Sequence, residues 1–169
     1  FSQFVKEDLQ FPDKTKLIVV VYPIFLNNRY LREAVNVLEP NGDMSIAVEP
    51  EGILIDLKKL HGPIENWNTG SITNMHGLFN DNTSFNLDIS RWDTSSVTDM
   101  RHMFRGATNF NQPIGNWNTS AVTNMNNMFK GARNFNKNIG NWNTGKVLNM
   151  NGMFEDATIF NQDIGNWNV

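Results

Sequence analysis

The sequence predicts a repeat solenoid, built from 25-residue coils that each hold a short helix plus a short parallel strand, with an N-terminal α+β cap. The first observation is the spacing of the five tryptophans in this 169-residue chain. A second observation is that apolar and polar residues around them recur with the same period. A fixed period of about 20–50 residues is typical of units that bury their apolar sides only against their neighbours. The tryptophans stand 25 residues apart without a break, at Trp67, Trp92, Trp117, Trp142 and Trp167.

A column is a set of residues that stand 25 apart in the sequence. Isoleucine precedes each tryptophan by three residues, and two phenylalanine columns and one asparagine column follow it. These columns divide residues 64–169 into four 25-residue repeats and the start of a fifth. Because stacked coils place equivalent residues above one another, we expect the tryptophans to form one structural ladder and the asparagines another, with hydrogen bonds from coil to coil. The asparagine column is Asn86, Asn111, Asn136 and Asn161.

Each repeat contains one stretch with helical spacing. In the third repeat Met125, Met128 and Phe129 lie on one helical face, and Gly131 supplies the left-handed residue that commonly ends a helix. We expect Asx side chains to cap the helix starts, because they satisfy free backbone amides. In the fourth repeat Leu148 replaces a threonine, which predicts a hydrophobic staple with Met153. The expected caps are Asn74, Asp99, Asn124 and Asn149.

The rest of each repeat is predicted to be a short strand and a corner. Residues 135–142 are an example, with apolar residues placed between asparagine and glycine. Equivalent strands of stacked coils would lie about 4.8 Å apart in a parallel sheet.

Residues 1–63 lack the repeat and predict a small α+β region. Residues 1–16 indicate an arm or short helix, and residues 17–22 a strand. Residues 28–38 have the apolar spacing of a helix, and the alternation over 44–57 predicts a hairpin. Since solenoids need their apolar ends covered, we expect this region to cap the first coil.

Composition excludes several classes of function. The net charge of −3 disfavours nucleic acid as a partner, and the absence of cysteine excludes disulfides and thiolate sites. The longest apolar run is too short for a membrane span. The chain starts at Phe1 and stops at Val169, a few residues into a repeat, so we expect both ends to be cut or processed, with a longer array as one possibility.

No set of residues indicates a catalytic, cofactor or metal site. The three histidines are His61, His76 and His102, and only the last two are near each other in repeat space, with no third ligand at metal spacing. The aspartates are scattered among asparagines of the same columns, which fits turns better than acid–base catalysis. We therefore expect no enzyme activity and no cofactor.

The repeat resembles that of the BspA-like leucine-rich-repeat surface proteins. The runs that carry the resemblance are Trp92 to Met100, Met103 to Ala107 and Phe110 to Gln112. It covers residues 64–169, and extends weakly to residues 31–35 and 61–64. The resemblance implies a leucine-rich-repeat-like solenoid, often surface displayed and used for adhesion or protein interaction, with no catalytic residues. The predicted 44–57 hairpin departs from the pattern that usually precedes the first repeat.

Columns that vary between repeats are expected to face solvent. Within and beside them lies a set of basic residues that predicts a contact for an acidic partner, against the alternative of an ordinary solvated face. The methionine and tryptophan columns are instead interpreted as core. The variable columns are His76/Arg101/Asn126/Asn151, Asn80/Arg105/Lys130/Glu155 and Leu87/Gln112/Lys137/Gln162, and the candidate partner-binding residues are Arg101, Arg105, Lys130, Arg133 and Lys137.

Two functions follow from these patterns. The first is a non-enzymatic protein-interaction or adhesion module that presents the variable polar face to a protein or glycan, at a cell surface or outside the cell. The alternative is a structural assembly component of a virion or surface layer, which docks through its solenoid end.

Overall fold

The computed structural model describes residues 8–10, 16–18, 31, 47–48, 54–55 and 63–168. Strands β1 (Asp8–Gln10) and β2 (Lys16–Ile18) form one antiparallel pair, with Leu9 opposite Leu17. Strands β3 (Ala47–Val48) and β4 (Leu54–Ile55) form another, with Val48 opposite Leu54. A single-turn 3₁₀ helix, Ile64–Asn66, leads into the first repeat.

The N-terminal elements can be compared with the prediction where they are described. The strand expected over 17–22 overlaps β2, and β3 and β4 lie within the hairpin expected over 44–57. Leu31 lies in a helix, is fully buried and belongs to the same core cluster as the repeats. The prediction of an arm or short helix over 1–16 is wrong for Asp8–Gln10, because pairing with β2 makes this segment a strand. The remaining parts of these predicted elements lie outside the described residues.

Successive repeats stack through main-chain hydrogen bonds between residues about 25 apart. In each junction four alternate amides donate to carbonyl oxygens of the next repeat, at 2.6–3.0 Å. Met75, Gly77, Phe79 and Asp81 donate in this way to residues 99, 101, 103 and 105. Isolated parallel bridges join Asn74, Asp99, Asn124 and Asn149 in series. Strand-like pairing therefore lies at these Asx residues, and the strand predicted over 135–142 is not formed.

The helix predicted in each repeat is replaced by consecutive turns. We call these residues the turn segment, which in the first repeat is 75–81. Backbone amides that do not face the next repeat donate to the carbonyl three residues earlier, as the Leu78 amide does to the Met75 carbonyl at 3.3 Å. Each repeat has two residues in the left-handed conformation, four positions apart. A continuous right-handed helix cannot contain such a residue. The same Met, Met, Phe spacing buries one side of a row of turns as well as one side of a helix. The left-handed residues are Gly77, Asp81, His102, Gly106, Asn127, Gly131, Gly152 and Asp156.

The Asx residues at the starts of these segments make turns of their own. The Oδ1 atom of Asn74 accepts the His76 amide at 2.8 Å, and Asp99, Asn124 and Asn149 repeat this bond. The side chain thus satisfies a backbone amide two residues on, as in an Asx turn. The staple predicted for Leu148 and Met153 is absent, since no helix starts there and Leu148 is 88% exposed.

Phenylalanine and tryptophan columns form the core. Phe79, Phe104 and Phe129 stack in series with ring centroids 5.5 Å apart, and each also stacks on the second phenylalanine of its repeat, as Phe104 does on Phe110 at 3.9 Å. Trp117 and Trp142 are parallel to within 2° with centroids 6.4 Å apart. Offset stacking of this kind adds to the energy gained from burying the rings.

The isoleucine carbonyl before each of the first four tryptophans serves two repeats. Ile89 accepts the backbone amide of Trp92 in its own repeat and the indole Nε1–H of Trp117 in the next, both at 3.1 Å. Trp92, Trp142 and Trp167 make the same indole bond to residues 64, 114 and 139. The indole bond satisfies a polar atom that stacking alone would bury unpaired.

The asparagine column also bonds from repeat to repeat, but through the backbone. The Oδ1 atom of Asn86 accepts the Asn111 amide at 2.9 Å, and the bonds of Asn111 to Asn136 and of Asn136 to Asn161 are alike. A column of buried threonines adds a second series, which the sequence patterns did not single out. The hydroxyls of Thr69, Thr94, Thr119 and Thr144 donate to carbonyls of the next repeat at 3.0–3.1 Å.

Candidate interaction surface

The variable columns lie on the outside of the stack. We call these three columns, together with Arg133, the side face. Among residues 63–168 every side-face residue is half-buried or exposed. The turn segments explain this. Met75, Leu78 and Phe79 are buried in the core, whereas His76 is half-buried and Asn80 is exposed. Changes in side-face residues other than Leu87, which packs against the core, therefore leave the core contacts of each repeat intact.

Ion pairs within the stack hold three of the five basic candidates. Arg101 Nε lies 3.1 Å from Asp99 Oδ2, and Lys130 Nζ lies 2.8 Å from Glu155 Oε2 of the next repeat. Arg105 approaches Asp81 of the preceding repeat at 3.9 Å. Exposed pairs of this kind stabilise a fold by less than about 1 kcal/mol. Their effect on recognition is larger, because each partner carboxylate cancels the charge that an acidic ligand would meet.

Arg133 and Lys137 differ from the other three candidates. Arg133 is exposed and Lys137 half-buried, and within residues 63–168 neither has an ion-pair partner. The structure thus divides the predicted basic set into a neutralised group and two cations that keep their charge available.

Two aspartates in the corners have carboxyl groups that favour the ionised form. The backbone amide of Ser90, followed by its hydroxyl and the nearby Arg91, lowers the pKa of Asp88. Hydrogen bonds from the hydroxyl and then the amide of Ser95 lower the pKa of Asp93. Both carboxyls are exposed and hold turns, so their perturbation has a structural cause and indicates no acid–base site.

The other candidate columns point inward. The five tryptophans are between 3% and 8% exposed, and the methionines from Met75 to Met128 are fully buried. The rings of His76 and His102 meet edge to face with centroids 5.7 Å apart. Within the part of the chain that the structure describes, no group of three or more His, Cys, Asp or Glu side chains is placed to hold a metal ion.

The last described repeat has an open cavity of about 480 Å³ on the side where each earlier repeat contacts the next one. Leu148 and Ile159 are exposed by 88% and 50%, at positions where the earlier repeats hold threonine, serine or asparagine. We call this cavity and its lining the end surface, and its lining residues are Met150, Gly152, Met153, Phe154, Glu155, Ile164 and Trp167.

The stacked 25-residue units define a repeat protein. The family model described as "Mycoplasma protein of unknown function, DUF285" matches residues 41–118 and again residues 87–169. Together the two matches span residues 41–169, more than half of the chain, and the chain belongs to this family. This is a repeat family related to the BspA-like proteins.

Searches of curated proteins and of solved structures found no match to this chain. Among the described residues no helix has the length and apolar character that a membrane crossing requires.

Proposed function

We propose that this chain is a non-enzymatic protein-interaction or adhesion module, displayed at a cell surface or outside the cell. In this proposal the repeats form a leucine-rich-repeat-like solenoid of the BspA-like type, and the side face contacts a protein or glycan partner. The observation that carries the proposal is the separation of core columns from surface columns within each repeat. Core columns are nearly invariant and buried, while side-face columns differ from repeat to repeat and are accessible.

The chemistry of the side face favours a partner with acidic groups. Arg133 and Lys137 have no ion-pair partner among residues 63–168, and repeated main-chain hydrogen bonds hold the scaffold that carries them. A rigid scaffold loses little conformational entropy on binding, which favours recognition by a modest number of polar contacts. Long-range attraction to acidic groups would act mainly on the association rate and would weaken with salt.

The test is binding of the full chain to an array of acidic peptides, with neutral peptides of equal length beside them. We expect salt-sensitive binding that Arg133→Glu combined with Lys137→Glu weakens by about tenfold or more. Lys146→Glu is the matched control, because it reverses one charge on an exposed residue outside the side face. The proposal fails if the double variant binds like the unchanged chain, or if no peptide binds.

A second candidate function is a structural assembly component of a virion or surface layer. The observation that favours it is a pair of exposed apolar side chains, Leu148 and Ile159, at positions where the earlier repeats hold threonine, serine or asparagine. The two candidates differ in purification behaviour. Recovery in fixed stoichiometry within a particle supports the assembly component, and a monodisperse monomer supports the interaction module.

A further inference from the structure

The asparagine column orients its side chains in the same way in successive repeats. The Oδ1 atoms of Asn86, Asn111 and Asn136 each accept the backbone amide of the asparagine in the next repeat, at 2.9–3.0 Å. A backbone N–H can only donate, so the Nδ2 group of each carboxamide points away from that bond. Among residues 63–168 these three Nδ2 groups have no hydrogen-bond partner, and no buried side-chain nitrogen lacks one, so they reach solvent. The column therefore presents one free amide donor group per repeat.

Glutamines of a side-face column cover two of these asparagines. Gln112 Nε2 donates to the main-chain carbonyl and the Oδ1 atom of Asn86 at 2.7 and 2.9 Å, and Gln162 Nε2 donates to Asn136 Oδ1 at 2.8 Å. The Oε1 atom of each glutamine has no hydrogen-bond partner within the described repeats. A free acceptor thus lies beside a free donor. Neighbouring sugar hydroxyls can use both, because a hydroxyl donates and accepts.

Lys137 interrupts this pattern in the third repeat. It occupies the column of Gln112 and Gln162, one repeat beyond Asn111, but among residues 63–168 it has neither a hydrogen bond nor an ion pair. An ammonium thus replaces the amide that the flanking repeats hold. We call the following residues the amide face: Asn86, Asn111, Asn136, Gln112, Lys137 and Gln162.

The amide face contains no acidic residue. Its two columns, and the columns that start at Thr83 and Ser84, hold no aspartate or glutamate. Lys130, by contrast, lies 2.8 Å from the Glu155 carboxylate. The charge of Lys137 is therefore available to an anion from outside, and the Nδ2 donors favour an oxygen ligand. A carboxylate meets both conditions, since it carries the opposite charge and only accepts hydrogen bonds.

An extended peptide fits the amide face less well than a sugar chain does. A peptide laid along it must pair its backbone N–H groups, but the Oδ1 atoms of all three asparagines already accept bonds within the stack. An N–H group left unpaired in a contact costs free energy. Sugar hydroxyls avoid this cost, because they rotate to accept from Nδ2 and to donate to glutamine Oε1 or to water.

We propose that the amide face binds an acidic glycan, in which a carboxylate-bearing sugar lies between neutral ones. The Lys137 ammonium and the Asn111 Nδ2 group hold the carboxylate, and the asparagine–glutamine pairs on either side hold hydroxyls of the neutral sugars. The inference rests on the proposed interaction function and names the class of its partner. Charge attracts the glycan, and the amides discriminate it from other anions.

The experiment titrates the full chain with hexasaccharides of hyaluronan and of unsulfated chondroitin, in which glucuronic acid alternates with a neutral N-acetylated sugar. A chitin hexasaccharide provides the neutral comparison. An end-blocked peptide of alternating glutamate and serine, with the same number of carboxylates, provides the acidic one. Calorimetry should show saturable binding of at least one acidic hexasaccharide. Its affinity should exceed that of the chitin hexasaccharide and that of the peptide by about tenfold or more.

Two substitutions separate the charge from the amides, and each has a precedent in the chain. Lys137→Gln restores the residue found at Gln112 and Gln162 and should weaken binding of the acidic hexasaccharide by about tenfold or more. Lys146→Gln is its matched control, since it removes a positive charge from an exposed residue outside the amide face, and it should leave the affinity within about twofold. Gln112→Leu, which has a precedent at Leu87 of the same column, should weaken hexasaccharide binding by about threefold or more and leave peptide binding unchanged.

The outcomes separate this inference from the proposed function. Absence of saturable hexasaccharide binding, peptide binding as tight as hexasaccharide binding, or an unchanged affinity of folded Lys137→Gln would each overturn the inference. Salt-sensitive peptide binding that Arg133→Glu with Lys137→Glu weakens would then leave the proposed function standing. Hexasaccharide binding that Lys137→Gln and Gln112→Leu weaken, with no binding of any peptide, would support the inference and remove a protein partner.

Discussion

At the scale of single residues, the buried threonine hydroxyls help to hold neighbouring repeats together. Thr94 is 1% exposed and donates to the Asn118 carbonyl at 3.0 Å. Thr98 makes a similar bond to the Thr73 carbonyl at 3.2 Å, but it is exposed. The two residues belong to one repeat, so they allow the cost of losing a buried hydroxyl to be compared with that of losing an exposed one.

We expect Thr94→Val to lower the free energy of unfolding by about 1–2 kcal/mol, because the part-buried hydrogen bond from the Thr94 hydroxyl to the Asn118 carbonyl is lost. Thr98→Val should change it by less than about 0.5 kcal/mol, since water replaces the hydroxyl. Urea denaturation of both variants measures the difference. Equal effects would show that the buried bond contributes nothing beyond the exposed one.

Asp93 predicts a pH dependence whose direction follows from its lowered pKa. The folded pKa lies below the ordinary value of 3.8. The carboxylate therefore contributes stability above about pH 3.8, and this contribution is lost as the pH falls through the folded pKa. The effect is small, because the exposed group is screened by water.

Asp93→Asn should remove that part of the acid sensitivity while preserving the turn. Asparagine occupies the same column at Asn68, Asn118 and Asn143, and Asn118 accepts the Ser120 amide as Asp93 accepts the Ser95 amide. Thermal melting compares the variant with the unchanged chain at about pH 3 and about pH 6, which lie on either side of the ordinary aspartate pKa of about 3.8. An unaltered difference between the two pH values would contradict the assignment.

At the scale of elements, the turn segment is where the sequence was most misleading. Its apolar spacing of three and four residues is shared by a helix and by a row of turns, so periodicity could not distinguish them. The residues that decide between them are the left-handed ones, but these positions hold glycine, histidine, asparagine and aspartate in different repeats. Gly131 was recognised as left-handed, whereas Asn127 and His102 gave no such signal.

Substitution of Gly131 tests the left-handed turn. Its φ is +71°, and an added Cβ would lie 3.7 Å from the nearest atoms of Gly106, so space is available and backbone strain remains. We expect Gly131→Ala to cost about 1 kcal/mol, and Gly131→Asn to cost less, because asparagine tolerates this conformation. Urea denaturation of the two variants checks the order, and a more stable alanine variant would contradict it.

At the scale of the whole molecule, the period was predictable because packing between neighbours repeats it. Tryptophan burial follows from the 25-residue spacing, and so does the coil-to-coil bonding of the Asn86 column. The position of Leu148 was not predictable in the same way. It was expected to staple a helix, but no helix starts there, and its column is exposed in every repeat.

Position in the stack should therefore determine the effect of a core substitution. Phe129 is fully buried between Phe104 and Phe154, whereas Phe154 belongs to the same column and is half-buried. We expect Phe129→Ala to cost about 3–5 kcal/mol and Phe154→Ala clearly less. Chemical denaturation provides both values, and equal costs would contradict stabilisation by nearest neighbours.

The direction of the main-chain hydrogen bonds has an electrical consequence. In each turn segment four N–H groups point towards the C-terminal end of the stack, and a single bond, such as that from the Thr98 amide to Thr73, points the other way. Aligned peptide dipoles add, as they do along a helix, so the stack is more positive towards its C-terminal side than towards its N-terminal side. Glu155 and Asp156 lie in the last described turn segment, at positions that hold Arg105 and Gly106 two repeats earlier. Their carboxylates carry the sign that offsets this polarity.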